Sequence, residues 1–264
     1  MGNFLPLVQN ENMKIYRRPR TWVMTGILIV LVLTISILWV IFGGRDTSMW
    51  DVAFMESSIL FLLVTIFTVV IAAGGVAEEF TSGTIKLLLI RPWSRSKILL
   101  SKYISIMIFA LLLAFLLFGS TLLVNWICFG INASPDIQPT FVGEDGSSAL
   151  VYMLKYYGLT LISLVVTVTL AFMLSTIFRS SGLAIGMALF LLLGVNSFVG
   201  LIAMLDYKWI DYLLFIHLNL TQYLDGNPMR QGMTMGYSIG VLGVYYVIFI
   251  ALTWYIFNKR DVAS

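Results

Sequence analysis

Residues 58–77 read Ser-Ile-Leu-Phe-Leu-Leu-Val-Thr-Ile-Phe-Thr-Val-Val-Ile-Ala-Ala-Gly-Gly-Val-Ala, twenty residues without a charge. A helix of that length rises about 30 Å, the thickness of a bilayer's hydrocarbon core. Inside that core every backbone N–H and C=O must be paired within the segment, which an α-helix achieves alone. Five further runs of the same kind cover about 22–42, 102–130 (within the longer run 98–131), 152–178, 182–205 and 237–257. A charged or turn-rich segment separates each from the next. A membrane barrel would need strands of alternating polarity, whereas these runs are continuous and rich in Leu and Ile. The expected fold is an all-α integral membrane protein of six transmembrane helices forming one domain over 1–264. None of the six prolines (Pro6, Pro19, Pro92, Pro135, Pro139, Pro228) falls inside a run. Unbroken helices are therefore expected, which weighs against a carrier with discontinuous helices and a midplane ion site.

Composition agrees. The chain of 264 residues is 59% hydrophobic and 11% charged, with mean hydropathy +0.95. A soluble fold of this size could not cover so much apolar surface. A soluble enzyme, a nucleic-acid module and a disordered chain are thereby excluded. Cys128 and His217 are single residues of their kinds, so no intrachain disulfide can form and no His/Cys metal site is expected. No cleavable signal peptide is expected either, because the first apolar run begins at Trp22 after a basic stretch and is too long for one.

Charge orients the chain. With the N-terminus inside, the inner face collects Lys14, Arg17, Arg18, Arg20, Lys86, Arg91, Arg95, Lys97, Lys102, Arg179, Lys259 and Arg260, twelve of the sixteen basic residues. Only Arg45, Lys155, Lys208 and Arg230 fall outside. Nine of the thirteen acids, Glu56 among them, fall outside too. The faces carry +8 and −5, which together give the net +3. The positive-inside rule then makes this a multi-pass plasma-membrane protein with both termini cytoplasmic. Its basic face is suited to anionic membrane lipid or to an acidic partner. The bases are dispersed at helix ends, so no nucleic-acid role is indicated.

The links carry the functional signal. Residues 1–21 place Phe4, Val8 and Ile15 near one helical face ahead of four basic residues, the pattern of an N-terminal interfacial helix. Residues 78–97 begin with Glu78 and Glu79. Gly83 permits a sharp turn, Thr84 can cap a short helix over 85–90, and Pro92 ends it through its effect on Arg91. Ser94 or Ser96 can cap the next span. The short helix presents Ile85, Leu88 and Leu89, more apolar surface than a solvated loop needs, and so it is built to dock. Outside, 132–151 is a turn-rich connector, and the aromatic stretch 206–224 suggests short outer helices before the last span. The inner link 179–181 is so short that the spans on either side must be antiparallel neighbours.

The run from Glu79 to Arg95, Glu-x-x-x-Gly-Thr-Ile-Lys-Leu-Leu-Leu-x-Arg-Pro-x-Ser-Arg, resembles the signature of permease subunits of the ABC-2-type exporter family. The layout around it is similar too: a basic N-terminal stretch, six spans, and a short cytoplasmic helix between the second and third. The resemblance implies that this short element is the coupling helix, docked on a separate ABC ATPase subunit. It assigns the coupling role to Glu78, Glu79, Gly83, Thr84, Ile85, Leu88, Leu89, Arg91, Pro92 and Arg95. It also suggests polar contacts between the two acids and Arg91 or Arg95, without deciding which acid meets which arginine. It further implies a second permease subunit, in a homo- or heterodimer, with ATP and Mg held by the partner ATPase. This chain has no Gly-x-x-x-x-Gly-Lys-Ser/Thr run to cradle phosphates, so no cofactor and no catalytic residue are expected in it.

The expected function is that of a permease moving an amphipathic or hydrophobic substrate outward, an antimicrobial peptide or a drug for example, by alternating access. The substrate-binding residues are not legible. The alternative is a non-transporting membrane anchor or sensor subunit that recruits an ATPase. Two Gly-x-x-x-Gly patterns, Gly182–Gly186 and Gly236–Gly240, allow close helix packing. Asn125 and Asn196, in or near spans, call for hydrogen-bond partners.

Overall fold

The computed structural model describes residues 4–43, 47–84, 93–130, 148–203, 207–224, 226, 228–230 and 232–259. These are helical and contain no strand. Helix α1 (Phe4–Tyr16) leads into α2 (Pro19–Phe42), α3 (Met49–Thr81), α4 (Arg95–Phe129) and α5 (Ala149–Ile177). Helix α6 (Ser181–Leu189) passes through a π-helical turn (Phe190–Val195) into α7 (Asn196–Ala203). Short helical turns at Lys208–Tyr212, α8 (Leu214–His217) and Leu220–Tyr223 precede α9 (Met235–Lys259).

Five of these, α2, α3, α4, α5 and α9, are long and apolar enough to cross a membrane. The chain is a multi-pass α-helical membrane protein. The α6–α7 pair makes a sixth crossing only if its two parts count as one, and they meet at an angle of 44°. This corrects the expectation of unbroken helices. Absence of proline does not keep a helix straight, because a π-helical turn widens the ladder and re-aims the turns beyond it.

Helices α3 and α5 form the middle of the bundle, and α2 and α9 lie at its edge with most of their residues facing outward. Helix α3 packs on α4, α5 and α6. The central contact depends on Gly75: a Cβ there would sit 3.1 Å from Ile106 and 3.7 Å from the Phe172 ring. Phe109 and Phe172 are fully buried in the resulting core. Helix α3 is longer than the run 58–77, starting at Met49, where Ser48 caps it by accepting from the Trp50 amide at 3.2 Å. Position 83 turns as expected, with φ +70°, a backbone that glycine adopts without strain. Ser94 takes the N-cap position of α4, but its side chain makes no capping bond there. Among the described residues the Gly-x-x-x-Gly pairs bring no other helix close: a Cβ on Gly186, Gly236 or Gly240 meets nothing within 4 Å.

Candidate functional site: a charged knot at the basic end

The end of α3 carries Glu78 and Glu79 to the end of the bundle where α1 stops, α2 starts and α4 starts. Among the described residues three acids and four bases meet there. Lys102 is 4% exposed as a side chain and donates to Glu11 Oε2 at 2.9 Å and Glu79 Oε1 at 2.6 Å. Lys14 reaches Glu11 Oε1 at 2.6 Å and Glu79 Oε1 at 3.1 Å. Glu78 is held by Arg20, whose Nη1 and Nη2 donate at 2.5 and 3.2 Å, and by Arg18. Gly74 leaves room for this, since a Cβ there would lie 2.7 Å from Glu78 Oε1.

The electrostatics explain why the knot holds together. Charges taken out of water are tolerated only where each finds partners of good geometry. Burial pushes the Glu11 carboxyl up, but Lys102 and Lys14 outweigh it and hold it below the usual carboxylate value. For Lys14 burial works downward, and Glu11 with Glu79 raises the ammonium above its usual value. One carboxylate oxygen, Glu79 Oε2, and Arg20 Nε remain buried with no hydrogen-bond partner. A cleft between α1, α3 and α4 opens onto these groups.

Hydroxyl groups extend the attachment to the remaining helices. Ser175 of α5 accepts from the Val76 and Ala77 amides of α3 at 2.9 and 3.0 Å. Thr81 donates to the Arg179 carbonyl at 3.2 Å and accepts from the Ser181 amide at 3.1 Å. It thereby satisfies one of the free donors at the start of α6. On the far side of the link, Arg95 donates to the Asn258 carbonyl at 3.2 Å and Asn258 donates to Ser96 at 3.4 Å, joining α4 to α9. The end of α3 and the start of α4, which flank residues 85–92, are thus anchored to their neighbours.

Of the coupling residues expected from the sequence, Glu78, Glu79, Gly83, Thr84 and Arg95 lie at this end, with Thr84 Oγ1 2.9 Å from Ser82 Oγ. Ile85, Leu88, Leu89, Arg91 and Pro92, with the short helix over 85–90, lie outside the described residues. Among the described residues the ion-pair partners of Glu78 and Glu79 are Lys14, Arg18, Arg20 and Lys102 rather than Arg95, and Arg91 lies outside those residues. The reason is geometric. Both acids belong to the last turns of α3 and face inward, whereas Arg95 starts a helix directed toward α9. The signal that could have found Lys102 was its place inside an apolar run, where an unpaired ammonium is costly.

Glu56, counted from the sequence among the outer acids, is a fully buried residue of α3. Ser36 Oγ lies 2.6 Å from its Oε1, and Asn125 Nδ2 donates to its Oε2 at 2.7 Å. Near the same end, His217 is fully buried. Its Nε2 lies 2.8 Å from the Asp211 carbonyl and must donate there, so Nδ1 accepts from Ser238 at 2.8 Å and Ser238 from Tyr223 at 2.6 Å. The imidazole is neutral, and burial lowers its pKa.

The sequence compares with known proteins along its length. It is 34% identical to "Uncharacterized protein YhcI" of Bacillus subtilis (strain 168), over 98% of this chain and 100% of that protein. It is 33% identical to "Uncharacterized membrane protein YdbK" of the same organism, over 76% of this chain and 78% of that one. Residues 21–263 match the family described as "Protein of unknown function (DUF2705)", and the chain belongs to that family.

Proposed function

We propose that the chain is the permease subunit of an ATP-driven exporter. The observation that carries this reading is the place of the segment 79–95. Its sequence resembles the coupling region of ABC-2-type permeases, and it joins α3 to α4 at the end where ion pairs and hydroxyls tie α3 to α1, α2, α4, α5 and α6. A push on such a segment reaches all of those helices together. A separate ABC ATPase, binding ATP and Mg, supplies the push, and two permease subunits line the path. Nucleotide binding shifts the population between inward- and outward-open states. In this reading α6 and α7 together form the sixth span, α1 lies along the inner surface, the short turns before α9 lie at the outer one, and both termini are cytoplasmic. Spans with few intramembrane charges suit an amphipathic or hydrophobic substrate. This chain does the moving and performs no covalent chemistry.

The test is at Leu88, the most apolar part of the short segment. If it fills a groove on the ATPase, Leu88→Asp loses about 1.5–3 kcal/mol of burial and places an unpaired charge in a dry contact. The expected result is a complex that dissociates in mild detergent, or hydrolyses ATP without response to substrate, while the chain still inserts. Ser147→Asp should change neither property. Wild-type association and substrate-stimulated hydrolysis in Leu88→Asp would overturn the coupling role. If the chain and its ATPase stay associated but move nothing across vesicles, the membrane anchor or sensor reading replaces this one.

A further inference from the structure

Glu56 is used by none of the above. It lies about 10 Å along α3 from its start and is fully buried, as is Ser36, while Asn125 is 1% exposed. Three helices therefore converge on one carboxyl: α2 through Ser36, α3 itself, and α4 through Asn125. Among the described residues no base pairs with it, in contrast to every acid of the knot. The elements around it present neutral groups. Helix α5 brings Tyr157, whose hydroxyl donates to Ser57 at 2.9 Å. Asp51 lies more than a turn earlier on α3, and Cys128, exposed, lies nearly one turn beyond Asn125 on α4.

An ionised carboxylate in this place would have two neutral donors and no counter-charge, in surroundings where water does not reach. Its cost is several kcal/mol. The neutral acid fits the same distances. A hydroxyl can donate or accept, so a proton on Oε1 can be given to Ser36 Oγ at the same 2.6 Å, while the other oxygen accepts from Asn125 Nδ2. Asn125 gives its second N–H to the Thr121 carbonyl at 2.9 Å, and its Oδ1 is a buried acceptor without a partner.

We propose that Glu56, with Ser36 and Asn125, is a proton-binding site that clasps the ends of α2, α3 and α4 while protonated and releases them when the carboxyl ionises. The clasp stands whether or not the chain is an exporter subunit.

Infrared difference spectra of the purified protein in lipid nanodiscs test it. Wild type minus Glu56→Gln should show the carbonyl stretch of a protonated carboxyl at neutral pH, shifted in D2O, and its conversion to a carboxylate band at alkaline pH. Labelling of Cys128 by a maleimide reads the release. Its rate should rise several-fold more in wild type than in Glu56→Gln across that transition, because glutamine keeps the clasp without a proton to lose. Ser36→Ala is the second variant, should glutamine prevent folding. It should move the alkaline transition of the same band. A carboxylate band at neutral pH overturns the proposal, as does a Ser36→Ala band that titrates as wild type. Equal pH dependence of Cys128 labelling in wild type and Glu56→Gln overturns the release. Displacement of the protonated band by sodium but not by choline at fixed pH would make this a metal-cation site and overturn the proton reading.

Discussion

The two ends of the bundle solve the same problem in opposite ways. At the basic end Glu11, Glu78 and Glu79 each have one or more cations within 3.1 Å. At the acidic end Glu56 meets, among the described residues, a hydroxyl and an amide. The difference teaches where each junction gets its strength. The knot depends on full charges that remain partly wet, so it is strong while every partner is present and fails when one is lost. The clasp depends on neutral hydrogen bonds in a dry place, so it tolerates a neutral replacement and fails when a charge appears.

The largest effect expected from breaking this contrast is at Lys102. Lys102→Met leaves Glu11 and Glu79 without their buried cation, and removing one partner of such a pair costs about 3–5 kcal/mol. Thermal unfolding in detergent should show a fall of many degrees. The isosteric Glu56→Gln at the other end should stay within about 1 kcal/mol of wild type, the net worth of one hydrogen bond. Equal losses in the two variants would erase the distinction.

A smaller effect is expected from pH. The Glu11 carboxyl is held below its usual value of 4.5 in the folded chain. The unfolded chain therefore binds the proton first, and the stability that Glu11 provides is complete above that value and lost as pH falls through the lower folded one. Wild-type melting should drop on acidification below about pH 4.5, and Glu11→Gln should lose part of that dependence. An unchanged slope in the variant would place the acid sensitivity elsewhere.

The smallest effect is expected at His217. Its folded pKa is below 6.5, so the buried neutral ring favours folding above that value and loses the advantage as pH falls below it. Melting curves between pH 7 and 5 should fall more for wild type than for His217→Gln, by well under the Lys102→Met loss. A protein whose stability is flat over that interval would show that the Tyr223–Ser238–His217 chain readily adapts to the charge.

Legibility tracked the range of the forces involved. Burial of a twenty-residue apolar run is a local matter, so 58–77 announced a membrane helix and the charged links announced its neighbours. Gly83 and Ser94 were readable for the same reason, because a turn and a cap are set by adjacent residues. Lys102 and Glu56 could be read only as a lone base and a flanking acid, since their meaning depends on partners 91 and 69 positions away in the chain. The bend in α6–α7 was invisible because no proline marks it and a π-helical turn has no sequence spelling of its own.

What the sequence alone determined, then, is the solvent of the fold and the asymmetry of its two faces, because hydropathy and net charge are sums over residues and need no contacts. Which charges neutralise one another was settled by packing. Helices packed about a turn apart choose the partners of a carboxylate by direction and distance. That choice gave Glu78 to Arg18 and Arg20, gave Glu79 to Lys14 and Lys102, and left Glu56 with Ser36 and Asn125.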